Sequence, residues 1–226
     1  MDLWKSVVVA AMTAKYPFVG REDVLGELRA ALDRAAAGRG GLVTLTGPAG
    51  AGKTRTAEEA TARADGFRTL WTWCPPQTAG RAFRPWSRLV RELVADDADC
   101  GRLVTASPPL RALVAGSGPG ALRGADPEAA RLRLTGDLTD LLATAARTRP
   151  LLLVLDDLHA ADASSLRLLL ETSDATRTLP VLLLTTTREE GVAWRDRRRD
   201  AGGAGTGREV EGEEGSRARA DGAGWE

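Results

Sequence analysis

The hydrophobic positions of the chain change period in a regular order. Residues 22 to 37 carry Val24, Leu25, Leu28, Leu32 and Ala35 at helical spacing, and Gly38, Gly40 and Gly41 end the run. Leu42 to Thr46 is short, apolar and β-branched, and Phe67 to Trp73 alternates after the break at Gly66. Both predict strands, with a helix between them. Trp86, Leu89, Val90, Leu93 and Val94 predict a further helix. Residues 96 to 126, interrupted by Pro, Gly and Ser, read as an irregular, variable insertion. Asp126 followed by Pro127 makes an N-cap and first-turn pair, and Leu134, Leu138, Leu141, Leu142 and Ala145 line one face of a helix running to about Arg147.

Leu151 to Leu155 and Val181 to Leu184 are unbroken aliphatic runs, the pattern of strands covered on both faces, and Asp162 is placed to cap a helix between them. Strands alternating with helices predict a mostly parallel α/β sheet. From Gly191 onward only Val192, Trp194, Val210 and Trp225 are large and apolar, so residues 191 to 226 are expected to form a disordered tail. No internal repeat is visible.

Composition narrows the function classes. The 226 residues are 43% hydrophobic and 27% charged, an ordinary globular balance. Basic and acidic residues both number 31, which gives no overall field for nucleic acid or an anionic membrane surface. Cys74 and Cys100 lack metal-ligand spacing and are expected to be structural thiols of a cytoplasmic protein. The apolar run Val7 to Met12 is too short for a secretory h-region, and no stretch reaches the ~18 apolar residues of a membrane span.

Candidate chemistry begins where the first strand ends. GPAGAGKT, residues 47 to 54, fits G-x-x-x-x-G-K-[ST] between a predicted strand and a predicted helix. Glycines let backbone amides wrap phosphate oxygens without a Cβ in the way, and the helix N-terminus adds its dipole. Gly47, Pro48, Ala49, Gly50, Ala51, Gly52, Lys53, Thr54 and Arg55 are therefore candidate nucleotide contacts, with Lys53 on the β and γ phosphates and Thr54 on Mg²⁺. Lys5, Lys15 and Lys53 are the only lysines among the 31 basic residues. A chain that otherwise uses arginine thus keeps a compact point charge at this position.

LLLVLDD, residues 151 to 157, ends a buried strand in two carboxylates, and open α/β sheets bind ligands beyond the carboxyl ends of their strands. Asp156 is expected to hold Mg²⁺ through water and Asp157 to polarise the attacking water, unless the pair merely solvates a turn. His159 reads as a capping or packing residue. Arg188 follows VLLLTTT at the same sheet edge, where it either senses the γ-phosphate or solubilises a strand end. Arg197 to Arg199, beside Asp196 and Asp200, read as a solvated charge run.

Together YPFVGRE at 16 to 22, GPAGAGKT, LLLVLDDLHAAD at 151 to 162 and TTTRE at 185 to 189 resemble the STAND-class signalling ATPases of the AAA+ lineage, and most of all the ATPase module of large LuxR-type bacterial regulators. The resemblance implies a P-loop NTPase three-layer α/β sandwich over residues 16 to 190, preceded by a short extension at 1 to 15. It implies strand order 5-1-4-3-2, with Val19, Gly20 and Arg21 near the adenine and Arg188 as first sensor. Two departures stand out. Ala160 occupies a position where the family usually has tryptophan, and after Glu190 the family's fifth strand, helical lid and output domain give way to Gly- and charge-rich sequence. The fifth strand is accordingly expected to be missing and the chain to be a truncated or frameshifted product. The implied function is an ATP/ADP- and Mg²⁺-binding switch that hydrolyses slowly, with self-association or a partner protein acting through the ATPase domain and no direct nucleic-acid or membrane binding. The alternatives are a small-molecule or nucleotide kinase, with Arg81, Arg84 and Arg88 clamping the transferred phosphate, and a non-catalytic interaction fragment.

Overall fold

The computed structural model describes residues 20–74, 82–117, 126–188 and 208–211. Helix α1 (Glu22–Ala36) leads into β1 (Gly41–Thr46), and α2 (Lys53–Ala62) leads into β2 (Arg68–Trp73). Three helices follow, α3 (Arg84–Asp96), α4 (Ala98–Ala106) and α5 (Pro108–Val114), and then the long α6 (Pro127–Ala145). The chain continues through β3 (Leu151–Asp156), α7 (Ala163–Ala175), β4 (Val181–Thr186) and β5 (Arg208–Glu211). The strands lie in the order β2-β3-β4-β1-β5, and every neighbouring pair is parallel.

Alternation along the central strands divides the core in two. Leu151, Leu153 and Leu155 of β3 and Val181 and Leu183 of β4 join Trp86, Leu89 and Leu93 of α3 and Leu134, Leu138 and Leu141 of α6. Leu152, Val154, Leu182 and Leu184 point to the opposite face, where they meet Val24, Leu28 and Leu32 of α1 and Ala57 and Ala60 of α2. A strand covered on both faces favours apolar side chains at successive positions, which is why the two runs read as continuous aliphatic sequence. The result is a three-layer α/β sandwich. Among the described residues no helix is long and apolar enough to cross a membrane.

Two expectations are corrected. Residues 98–114 are not irregular: Asp97 caps α4 by accepting from the amides of Asp99 and Cys100, and Ser107 caps α5 by accepting from Leu110. Pro108 and Pro109 fill the first turn of α5, where a missing N–H costs nothing. Cys100, Leu110 and Leu113 are fully buried, so this segment belongs to the core. The fifth strand is also present. β5 pairs with the outer edge of β1, Val43 opposite Arg208 and Thr46 opposite Glu211. Ladder pairing uses main-chain groups, so a strand can form there from residues whose composition promises no core. The remaining residues of the expected tail, 191–207 and 212–226, lie outside the described residues, as do the extension at 1–15, Val19, Arg81 and Arg197–Arg199.

Close approach fixes one glycine at the start of β1. A Cβ on Gly40 would lie 2.3 Å from the carbonyl oxygen of Val181, 2.5 Å from that of Thr176 and 2.6 Å from that of Leu179. These are backbone atoms of the turn entering β4 and cannot rotate away. Gly40→Ala is expected to destabilise the protein by about 2 kcal/mol or more. Gly26→Ala, in α1 with nothing within 4 Å of the added methyl, is expected to stabilise by about 0.5 kcal/mol. Urea unfolding midpoints check both, and equal midpoints for the two variants would contradict this account of Gly40.

Candidate functional site

The candidate groups converge at the carboxyl edge of the sheet, beyond the ends of β1, β3 and β4. Gly50 (φ 79°) and Gly52 (φ 76°) take left-handed backbone, which lets the loop after β1 turn tightly into α2. Lys53, the first residue of α2 and only 9% exposed, curls back so that Nζ donates to the carbonyls of Gly47 at 2.9 Å and Pro48 at 2.8 Å. Inside that ring the amide of Ala51 donates to Pro48 O at 3.2 Å. Arg21 closes the other side: its guanidinium donates to Ala51 O and, at 3.1 Å, to Thr56 Oγ1, which donates in turn to Gly52 O at 3.0 Å.

The loop carbonyls of Gly47, Pro48, Ala51 and Gly52 are therefore all held by donors of the protein itself. Carbonyls tied back in this way are turned away from an approaching anion, which they would repel. Pro48, Ala49, Gly50, Gly52 and Thr54 are solvent-exposed. Arg55 turns along α2 to pair with Glu58 at 3.3 Å.

On the metal side, Thr54 Oγ1 donates to both oxygens of Asp156, at 3.1 and 3.2 Å, although the two residues are 102 positions apart. Asp156 is 8% exposed at the end of β3. Thr186, fully buried at the end of β4, donates to Asp156 Oδ1 at 2.5 Å and accepts from the amide of Asp157 at 3.0 Å. Asp157 is exposed in left-handed backbone (φ 57°), with its Oδ1 3.8 Å from Nδ1 of His159. Oxygen donors of this kind suit a hard cation, and one carboxylate with one hydroxyl suits Mg²⁺, which keeps several waters and takes the rest of its shell from phosphates. Among the described residues no group of three or more His, Cys, Asp or Glu side chains offers a different metal site.

The charges act on one another. Burial lowers the Lys53 ammonium below the ordinary lysine range, Asp157 opposes the shift, Arg188 and Arg21 deepen it, and Asp156 opposes it. Arg188, exposed one residue beyond Thr187, thus stands close enough to the loop for its charge to be felt there. Burial first and the neighbouring carboxylates second push Cys74 up to about 12, and burial with Asp97 pushes Cys100 up to about 11, so both remain inert thiols near neutrality.

Of the sequence candidates, Gly47 to Thr54, Asp156, Asp157, Arg188 and Arg21 come together here. Arg21 lies against the phosphate loop itself. Gly20 borders a separate groove of about 370 Å³ between α1 and α2, which Leu25, Arg29, Ala60 and Arg63 also line. Arg84 is exposed, and Arg88 lies over the ring of Trp73 at 4.4 Å. Thr186 is a further member of the site, beyond the sequence candidates. The signal for it was the switch from aliphatic to hydroxyl side chains within VLLLTTT, where the strand ends among carboxylates.

A family model described as an AAA ATPase domain matches residues 17–184. No curated protein matches the sequence. Among solved structures, PCH-2 of C. elegans is similar at 14% identity and TM-score 0.40, over 74% of this chain and 37% of that one. A DNA replication initiation factor is similar at 14% identity and TM-score 0.43, over 87% of this chain and 48% of that one. The chain therefore spans less than half the length of either.

A lysine with a depressed pKa loses its charge at a lower pH than an exposed one, and with it the attraction for phosphate. Metal-free ATP binding should therefore weaken as pH rises through a range beginning below the ordinary lysine value of 10.5. A Lys53→Arg variant, charged throughout, should bind less well but stay flat over that range. Calorimetric titration at stepped pH checks this, and parallel profiles for the two proteins would contradict it.

Proposed function

The chain belongs to the AAA ATPase domain family, and from that premise we propose that it is an ATP- and ADP-binding switch module of a cytoplasmic signalling or transcriptional regulator of the STAND class. Its α/β architecture, a parallel sheet with helices on both faces, is that of the P-loop NTPases. The observation that carries the reading is the joining of two distant motifs: Thr54, at the start of α2, is bonded to Asp156 at the end of β3. In this reading the loop amides and Lys53 would hold the phosphates, and Thr54 and Asp156 would hold Mg²⁺, whose chemistry there would be charge neutralisation. Asp157 orients water, Arg188 senses the γ-phosphate, and self-association or a partner protein reads the nucleotide state.

A kinase reading calls for arginines gathered around the transferred group, and Arg88 instead covers Trp73. Among the described residues, which exclude Arg81, no such gathering is seen.

The openness of the site bears on rate. Phosphoryl transfer depends on positioned charges in a dry site, and here Pro48 to Gly50, Thr54, Asp157 and Arg188 are accessible. Lys53→Ala should weaken ATP binding ~10-fold or more, since a charged contact to phosphate is among the stronger polar interactions. Calorimetry of wild type and variant decides this, and equal affinities would overturn the assignment of Lys53. Single-turnover phosphate release from dilute protein should run well below ~1 s⁻¹. A rate at or above that value would show that the site closes by means the present geometry does not contain.

A further inference from the structure

Asp156 is nearly buried at the end of an apolar strand, so its orientation depends on the donors around it. Thr54 supplies one proton, shared between the two carboxylate oxygens. Thr186 supplies the other, through the shorter contact of 2.5 Å. A hydroxyl has a single proton, and Thr186 must already accept from the Asp157 amide at 3.0 Å, so its own proton can go only to Asp156. The two hydroxyls thus hold the carboxylate from the α2 side and from the β4 side.

This arrangement decides what Thr54 offers to a cation. While Asp156 accepts the Thr54 proton, the lone pairs of Thr54 Oγ1 are left for other partners. If the carboxylate swings away, that proton is free to turn outward and meet the cation with the wrong polarity. The amide of Asp157 is tied to the same hydroxyl, in a left-handed backbone (φ 57°) that Asp tolerates better than most non-glycine residues.

We propose that Thr186 is a positioning residue for the metal side of the site: its hydroxyl fixes the Asp156 carboxylate so that Thr54 presents its oxygen to Mg²⁺, and fixes the backbone turn of Asp157 at the same time. This rests on the reading of the site as an Mg²⁺–nucleotide site. Thr186 touches neither phosphate nor metal, and acts through Asp156.

The test compares ATP affinity in Mg²⁺ with ATP affinity in EDTA, by calorimetry on the full chain. Thr186→Val keeps the volume and removes the hydroxyl. Thr186→Ser keeps the hydroxyl and removes a methyl. The valine variant should lose about tenfold in the Mg²⁺-supported gain in affinity, the worth of a hydrogen bond to a charged group, while metal-free binding stays within about twofold of wild type. The serine variant should recover the gain. If valine fails to fold, Thr186→Cys, whose thiol is a weaker donor, supplies the comparison and should fall below serine. An undiminished Mg²⁺ gain in the variant lacking the hydroxyl would overturn the proposal, as would a serine variant no better than valine, or equal losses with and without metal. Absence of ATP binding by the wild-type chain under both conditions would instead overturn the nucleotide reading, and the role of Thr186 with it.

Discussion

A carboxylate at the end of a buried strand needs donors, and meeting that need organises the site. β3 is apolar from Leu151 to Leu155 and carries its charge at Asp156, 8% exposed. An ionised group so placed is costly unless hydrogen bonds replace the water it has lost. The donors come from both neighbours in space, Thr54 from the first turn of α2 and Thr186 from the end of β4. The same contacts set the start of α2 against the sheet, so the phosphate loop, which ends at that helix, is placed by the carboxylate rather than by its own sequence alone.

The loop answers a second constraint, imposed by its carbonyls. A turn rich in glycine can expose either side of its peptide planes, and only the amide side favours anions. Lys53 holds the carbonyls of Gly47 and Pro48, and Arg21 holds that of Ala51. Two cations thus serve twice, as donors that orient the backbone and as positive charge beside it. Arg21 itself adopts left-handed backbone at φ 60°, held where α1 begins against the loop.

Much of this architecture was legible because the relevant physics is local. The unbroken aliphatic runs of β3 and β4, the caps at Asp126 and Asp162, and the glycines of residues 47 to 54 each depend on a few neighbouring residues. What escaped depends on contacts remote in sequence. α4 and α5 are too short to show a helical period, and two prolines in the first turn of α5 look like breakers until Ser107 is seen to cap it. β5 is defined by the free edge of β1, and its composition carries no trace of that edge. The role of Thr186 required knowing that β3 and β4 are adjacent and in register, with Leu155 opposite Thr185. Resemblance places Arg21 near the adenine, and the fold adds its bonds to Ala51 and Thr56.

These constraints bear on how the site responds to charge. Lys53, Arg21 and Arg188 oppose one another across the loop, and two of the three deepen the loss of basicity that burial imposes on Lys53. Asp157 and Asp156 offset this only in part, for the ammonium stays below its ordinary range. An anion brought against the loop would offset that repulsion. A divalent cation beside Asp156 would act in the opposite sense on the same groups, because it adds positive charge near the lysine. An anion lying between the two would offset both. A polyphosphate lying between Lys53 and Arg21 on one side and Thr54 and Asp156 on the other would meet both demands of the proposed reading at once.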